Sequence, residues 1–359
     1  MSTKSFDITR AEVFAGRMVD IINHSGLALM TSVGHRTGLF DSLAHKGALT
    51  STELAVEAGC DERYVREWLG AMTTGRVVEH DPEAGTYELP DEHAAFLTRA
   101  ASPDNLAVTT QYIAVLGSVE DDIVRCFAEG GGVPYERFAR FHEVMAEESS
   151  QSTISSLVDH ILPLVPGLTA RLEEGIRVAD LGCGRGLALA ELAERYPRSS
   201  FTGFDLSSDA IAAARAHAES RGLANVRFEV RDLTTFDVDA DPASLDLVTT
   251  FDAVHDQASP RALLKGIRLS LADDGVYLMQ DIYGHSHHHA DVDVPLAPFL
   301  YTISCMHCMT VSLAQGGEGL GAMWGMETAE RLVREAGFSS FDATRLEHDP
   351  VNVYVVARP

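Results

Sequence analysis

Residues 177–205 read RVADLGCGRGLALAELAERYPRSSFTGFD, and the order of residue types in this stretch decides the fold. A short apolar run, Val178, Ala179 and Leu181 around Asp180, breaks into glycines at Gly182, Gly184 and Gly186. Helical spacing follows from Leu187 to Leu192, and beyond Pro197 a second short segment closes on Asp205. Strand, glycine turn, helix and strand make one βαβ unit. Glycines let the backbone turn sharply and approach a ligand, and the helix behind them offers unpaired N–H groups and a positive dipole end. An acid about 20 residues on, at the tip of the second strand, can accept both hydroxyls of a ribose, which is the place of Asp205.

The glycine spacing separates two classes of nucleotide site. A dinucleotide fingerprint reads G-x-G-x-x-G, whereas here the third glycine, Gly186, comes one place early. Asp180, two places before the first glycine, would repel a pyrophosphate and attract the α-amino group of an amino-acid-bearing nucleoside.

At these residues the chain resembles the class I S-adenosylmethionine-dependent methyltransferases. The likeness rests on D-x-G-x-G-x-G over 180–186, on Phe204, Asp205, Leu206 and Ser207 at the second strand end, and on Phe228, Glu229, Val230, Arg231, Asp232 and Leu233 in a third element. It implies S-adenosyl-L-methionine as cofactor. Its methionine part would lie over Asp180, Gly182, Cys183 and Gly184, its ribose on Asp205 and its adenine amino group on Asp232. Leu206, Leu233 and Phe251 complete the expected cofactor contacts.

Composition narrows the rest. At 359 residues the chain is long enough for two domains, and 45% hydrophobic with 23% charged residues is ordinary for a globular protein. The net charge of −25, from 53 acidic against 28 basic residues, repels phosphate backbones, so nucleic acid is not an expected partner. No apolar run approaches the roughly 18–20 residues of a membrane span. The first residues lack the apolar core of a signal peptide, and five scattered cysteines fit a reducing compartment, so the expectation is a cytoplasmic protein away from membranes.

The N-terminal part reads as helices over 8–43, a helix start at Thr50 to Glu53, a helix over 62–73 and a small hairpin around Pro82 and Gly85. Three helices with a two-stranded wing make a winged helix, whose face value is DNA binding. Its charges oppose that: Arg63 and Arg66 are answered by Asp61, Glu62 and Glu67. The small-molecule O-methyltransferases carry a similar domain, and the resemblance implies a homodimer joined through it. The expected organisation is a winged-helix dimerisation domain over 1–100, a helical linker covering the active site over 101–170, and a Rossmann-like catalytic domain over 171–359. Strands at 177–181, 200–204, 226–231, 245–251 and 275–281 alternate with helices, which predicts an α/β fold with a doubly wound parallel sheet and a reversed edge at its end.

Ligands of such sheets sit beyond the carboxyl ends of the strands. The fourth strand runs into His255 and Asp256, and in the small-molecule O-methyltransferases the histidine of such a pair is a general base; by resemblance that role falls on His255. A phenol of pKa near 10 needs a group near 6.5 to accept its proton at neutral pH. Met145, Cys305, His307 and Trp324 are expected on the acceptor side, and 316–321 as a mobile lid. His285, His287, His288 and His289, with Cys305 and Cys308 further on, are soft-ligand types, but neighbours on a polar loop cannot all face one ion, so no metal is expected. The leading expectation is a methyltransferase for a small hydroxylated or thiol metabolite. Its rivals are a ligand-sensing transcription regulator and a methyltransferase-fold enzyme of other chemistry.

Overall fold

A computed structural model describes residues 6–359, which divide after Gly117 into two compact units. The N-terminal unit opens with the 30-residue helix Ile8–Thr37, capped by Asp7 accepting from the Arg10 N–H and closed by Gly38 in the left-handed conformation. Helix Ser51–Ala58 starts with the expected capping box between Thr50 and Glu53. Helix Glu62–Thr74 buries Val65, Trp68, Leu69 and Met72, four residues at helical spacing, and the Trp68 indole donates to the Met30 carbonyl at 2.8 Å. The wing is the antiparallel pair β1 (Glu79–Asp81) and β2 (Thr86–Glu88), to which Leu49 adds a bridge at Tyr87.

The expected 101–170 linker is shared between the units. Helix Ala107–Gly117, which buries Val108, Tyr112, Val115 and Leu116, packs on the long first helix, and the residues from Ser118 onward belong with the sheet. Apolar burial thus moves the boundary past residue 100.

The second unit is built on a seven-stranded sheet. Strands β3 (Arg177–Leu181), β4 (Ser200–Asp205), β5 (Val226–Val230), β6 (Leu245–Phe251) and β7 (Leu271–Ile282) are parallel, and β8 (Ser340–Thr344) and β9 (Asn352–Arg358) are antiparallel. Their order is β5-β4-β3-β6-β7-β9-β8, with the direction of winding reversing between β3 and β6. This is the expected Rossmann-like sheet with its reversed edge; β8, where Asp342 and Thr344 interrupt the apolar pattern, gave no strand signal. One face packs Leu157, Leu168, Leu189, Leu192 and Ile211, the other Leu263, Leu264, Ile267, Leu332 and Val333. The crevice of such a sheet lies at the carboxyl ends of β3 and β6, where the strand order reverses.

Segment Ala297–Ala314 matches a membrane span in length and apolarity, contrary to the expectation that no stretch approaches one. Here it serves as a core helix, with Leu300, Ile303, His307, Cys308 and Val311 buried. A π-helical turn, Ser304–Cys308, widens its middle.

Candidate active site

Gly182, Gly184 and Gly186 all have positive φ, at 76°, 53° and 69°, so the turn after β3 is left-handed at alternate residues. Gly186 is closed in: a Cβ there would stand 2.3 Å from the Phe228 ring. A Cβ on Gly184 would meet nothing within 4 Å, which leaves this side of the loop open. The amides of Gly182 and Cys183 donate to the Phe204 carbonyl at 2.8 and 3.0 Å, binding the loop to the end of β4. Asp205 completes that link. Its Oδ2 accepts from the Gly184 N–H and its Oδ1 from the Ser207 N–H, both at 2.8 Å, so the carboxylate is aimed by two backbone donors.

These groups line a cavity of ≈ 580 Å³. It brings together Gly182, Gly184, Asp205, Leu206, Asp232, Leu233, Phe251 and, from helix Phe141–Ser149, Met145. Asp232 stands at its rim with Oδ1 accepting from the Thr234 N–H at 2.9 Å. Tyr135, Phe138, Phe141 and His142 form an aromatic wall.

Six expected site residues do not line the cavity: Asp180, Cys183, His255, Cys305, His307 and Trp324. Asp180 is buried beneath the loop, its Oδ1 accepting from the Thr249 hydroxyl at 2.8 Å, and burial pushes its carboxyl up to about 7 against that hydrogen bond. The Cys183 sulfur turns into the core, 2.8 Å from where a Cβ on Gly203 would be. Cys305 is half-buried on the π-helical turn. His307 is 1% exposed, stacked on Phe141 at 3.4 Å with Tyr135 and Phe138 edge-on. Among the described residues neither of its ring nitrogens has a hydrogen-bond partner, and burial holds the ring well below its ordinary pKa, hence neutral.

His255 is 2% exposed, and its Nδ1 meets Asp281 Oδ1 at 2.8 Å. Trp324 Nε1 donates to the same oxygen at 3.1 Å, as does the Ile282 N–H at 2.8 Å. Burial, the largest single influence, works against a charge on His255, and only the Asp281 carboxylate and Cys308 together outweigh it and hold the ring well above its ordinary pKa. Asp252, with φ 57°, lies 3.8 Å from the same Nδ1, and burial pushes it up to about 7. Asp252, His255 and Asp281 hold ligand-type atoms within 4.8 Å of one another. Among the described residues, no such group of three forms in the 285–289 histidine run or around the two late cysteines.

Asp256 faces the other way from its neighbour. It lines the cavity, accepts a hydrogen bond from the Tyr135 hydroxyl, and has Gln257 Nε2 3.2 Å from its Oδ1. Burial pushes Asp256 up to about 6, opposed by His255 and by the Tyr135 hydrogen bond. The 316–321 segment, expected as a lid, is fastened: the Glu318 N–H donates to the Ala258 carbonyl at 3.0 Å, the Gly319 N–H to Ser312 Oγ at 3.1 Å and the Gly321 N–H to the His255 carbonyl at 3.1 Å.

Two family models match this chain, one over each part. Residues 172–320 match the description "Methyltransferase domain", and residues 25–99 match "Rv2258c-like winged HTH domain". The chain is thus similar to a winged-helix domain in its N-terminal part and to a methyltransferase domain over 172–320. Over 111 residues it is 31% identical to a ubiquinone biosynthesis O-methyltransferase of Neisseria meningitidis, covering 30% of this chain and 44% of that protein. The chain thus spans under half the length of the curated relatives it matches first. A crystal structure of a putative O-methyltransferase from Nostoc punctiforme superposes with a TM-score of 0.70 at 18% identity, over 100% of both chains. Human N-acetylserotonin methyltransferase, solved in complex with SAM, superposes with a TM-score of 0.66 at 19% identity, over 100% of this chain and 99% of that one. At such identities the likeness is one of fold.

Around the cavity and the buried cluster beside it, sequence reasoning missed Tyr135, Asp252 and Asp281. Asp281 had a usable signal, since it is an acid near the carboxyl end of a parallel strand. Tyr135, in the turn Tyr135–Arg137 after a run of glycines, carried none.

Proposed function

We propose that this chain transfers a methyl group from S-adenosyl-L-methionine to a small molecule bearing a hydroxyl or thiol. The observation that carries the reading is the open Gly184 backbone beside the braced carboxylate of Asp205, a cradle with an acceptor of hydroxyl hydrogen bonds at its edge. The residues present fit the cofactor. Asp205 retains lone pairs for the ribose hydroxyls, Asp232 stands where an adenine amino group is expected, and Leu206, Leu233 and Phe251 offer apolar contact. Asp180 and Cys183 stand behind the loop, so their part is to shape it. When bound, the cofactor supplies an electrophilic methyl group on a sulfonium.

This chain's own residues would hold the acceptor against the aromatic wall of Tyr135, Phe138 and Phe141, exclude water and receive the acceptor's proton at the His255–Asp256 pair. Met145, on the cavity wall, and Cys305, His307 and Trp324, behind it, would shape the acceptor pocket. The protein is further proposed to be a homodimer. The first helix exposes Val13, Phe14, Val19 and Ile22 at 57–70% of their surface, an apolar stripe long enough to pair with a second copy. Five cysteines stand as free thiols, which supports a reducing, cytoplasmic setting.

The test is calorimetric titration with S-adenosylmethionine and S-adenosylhomocysteine, with and without a chelator, followed by an acceptor screen read as S-adenosylhomocysteine formation. Absence of binding would sink the reading. Binding without turnover on any hydroxyl or thiol acceptor would leave a methyltransferase fold used for other chemistry.

A further inference from the structure

We infer that His307 decides which acceptor is taken: its imidazole pairs with a second hydrogen-bonding group, a hydroxyl or carbonyl, that an aromatic acceptor carries away from its reacting atom. The inference rests on the methyltransferase reading and names the substrate class within it. The observation that carries it is an orphaned polar ring. His307 is 1% exposed, and among the described residues neither Nδ1 nor Nε2 has a hydrogen-bond partner. Buried polar atoms are nearly always paired, because an unpaired one loses its hydration and gains nothing. Two on one ring leave a deficit that a bound ligand can remove.

The position of the ring says which ligand. His307, Val311 and Gln315 follow one another at four-residue spacing, and Val311 and Gln315 line the cavity. The imidazole therefore belongs to the cavity-facing stripe, one turn deeper, within the π-helical turn Ser304–Cys308. What covers it is aromatic. Phe141 stacks on it with centroids 3.4 Å apart and planes at 7°, while Phe138 and Tyr135 meet it edge-on at 4.7 and 5.2 Å. All three rings line the cavity, and their one polar atom, the Tyr135 hydroxyl, is directed to Asp256. Tyr135 thus touches both the His307 ring and Asp256, so the reacting and the distal groups of one small acceptor fall within a single side chain's reach.

A planar aromatic acceptor suits such a wall of faces and edges. With Phe138 or Phe141 turned aside, its far substituent meets the imidazole. A neutral histidine offers one donor and one acceptor nitrogen, so a hydroxyl or a carbonyl can be met, whereas an apolar substituent leaves both nitrogens unpaired. Sites of this kind discriminate by rejecting the analogue that lacks the group. Water is a poor substitute, because a buried water needs about two to four polar partners and the three rings supply none that is free.

The test is calorimetry on the full chain saturated with S-adenosylhomocysteine, titrated with phenol and naphthol and with the benzenediols and naphthalenediols, which differ from them by one hydroxyl. It compares the wild type with His307→Leu, of similar volume, and His307→Gln, which keeps a donor and an acceptor. At least one diol is expected to bind the wild type about tenfold more tightly than its parent, a preference lost in His307→Leu and kept in part in His307→Gln. In 15N-histidine NMR the His307 nitrogens, assigned by their loss in His307→Leu, are expected to shift with that diol and not with its parent. His307→Leu is expected to melt no lower than the wild type, since it removes polar atoms that nothing in the fold pairs. Absence of binding by every probe, equal binding of diols and parents by the wild type, or a preference that survives in His307→Leu overturns the inference. A lowered melting temperature of His307→Leu with unmoved wild-type nitrogens shows a purely structural ring and overturns it too. Failure of S-adenosylhomocysteine to bind the wild type would refute the methyltransferase reading, and the diol preference is then scored on the free protein, so the two results stand apart.

Discussion

The N–H of Gly184 donates to Oδ2 of Asp205 at 2.8 Å, so the open point of the glycine turn and the acid at the end of β4 form one unit. Asp205→Ala removes both the proposed ribose acceptor and the brace of the loop. Charge-assisted hydrogen bonds are worth about 1.5–3 kcal/mol each, so the variant is expected to bind S-adenosylmethionine at least about tenfold more weakly by calorimetry. Wild-type affinity would refute the ribose assignment.

His255 and Asp281 are both almost wholly buried, and removal of one partner leaves the other charge uncompensated. His255→Gln is expected to cost about 3–5 kcal/mol in urea unfolding. The pH sign follows from a folded pKa raised above the ordinary value: the stabilisation is complete below about 6.5 and fades as pH rises through the higher folded value. Wild-type stability should therefore fall faster than the variant's in the alkaline range. Equal alkaline slopes would show that no charge resides on His255.

Asp180 has a folded pKa of about 7 against an ordinary value near 3.9, so the fold favours its protonated form. That contribution is present at acid pH and is lost as pH rises through about 7. Asp180→Asn keeps an acceptor for Thr249 and cannot ionise. Thermal melts between pH 4.5 and 8 should decline less in the variant; a parallel decline would place the ionisation elsewhere.

The exposed stripe of the first helix gives the dimer its test. The wild type should run at twice the 38.8 kDa chain mass in sedimentation, and Phe14→Glu with Ile22→Glu should return it to the chain mass with an unchanged melting temperature. A monomeric wild type would end the proposal.

The winged helix carries its own prediction. Arg63 pairs with Glu67 and Arg66 with Glu62, each four residues apart on one helix, so few cations are free for phosphates. No retention on heparin or duplex DNA is expected at physiological salt, and retention with a steep salt dependence would revive the regulator reading.

The site was legible where local chemistry is conserved in the order of the chain. Left-handed glycines, an acid at a strand end and apolar periodicity are properties of consecutive residues; they located the βαβ unit and the winged-helix core and pointed to Asp205 and Asp232, which the structure places on one cavity. The expected residues that do not line the cavity have a common feature. Asp180, His255, His307 and Trp324 are polar or aromatic residues near the right strand ends, yet each turns its side chain into the interior. The 316–321 glycines looked like a lid because backbone hydrogen bonds to residues some 60 positions away leave no trace in composition.

The sequence by itself determined the parallel sheet and the class of nucleotide site, and its net charge set the expectation against a phosphate-rich partner, since periodicity, glycine spacing and net charge are all local or additive. Only the tertiary structure decided which member of the His255–Asp256 pair meets the cavity. That choice depends on Asp281 holding the His255 ring, on Trp324 donating to the same carboxylate and on the Tyr135 hydroxyl donating to the neighbouring Asp256. Burial and pairing set a titrating group's direction and charge, and both arise from residues that only the fold brings together.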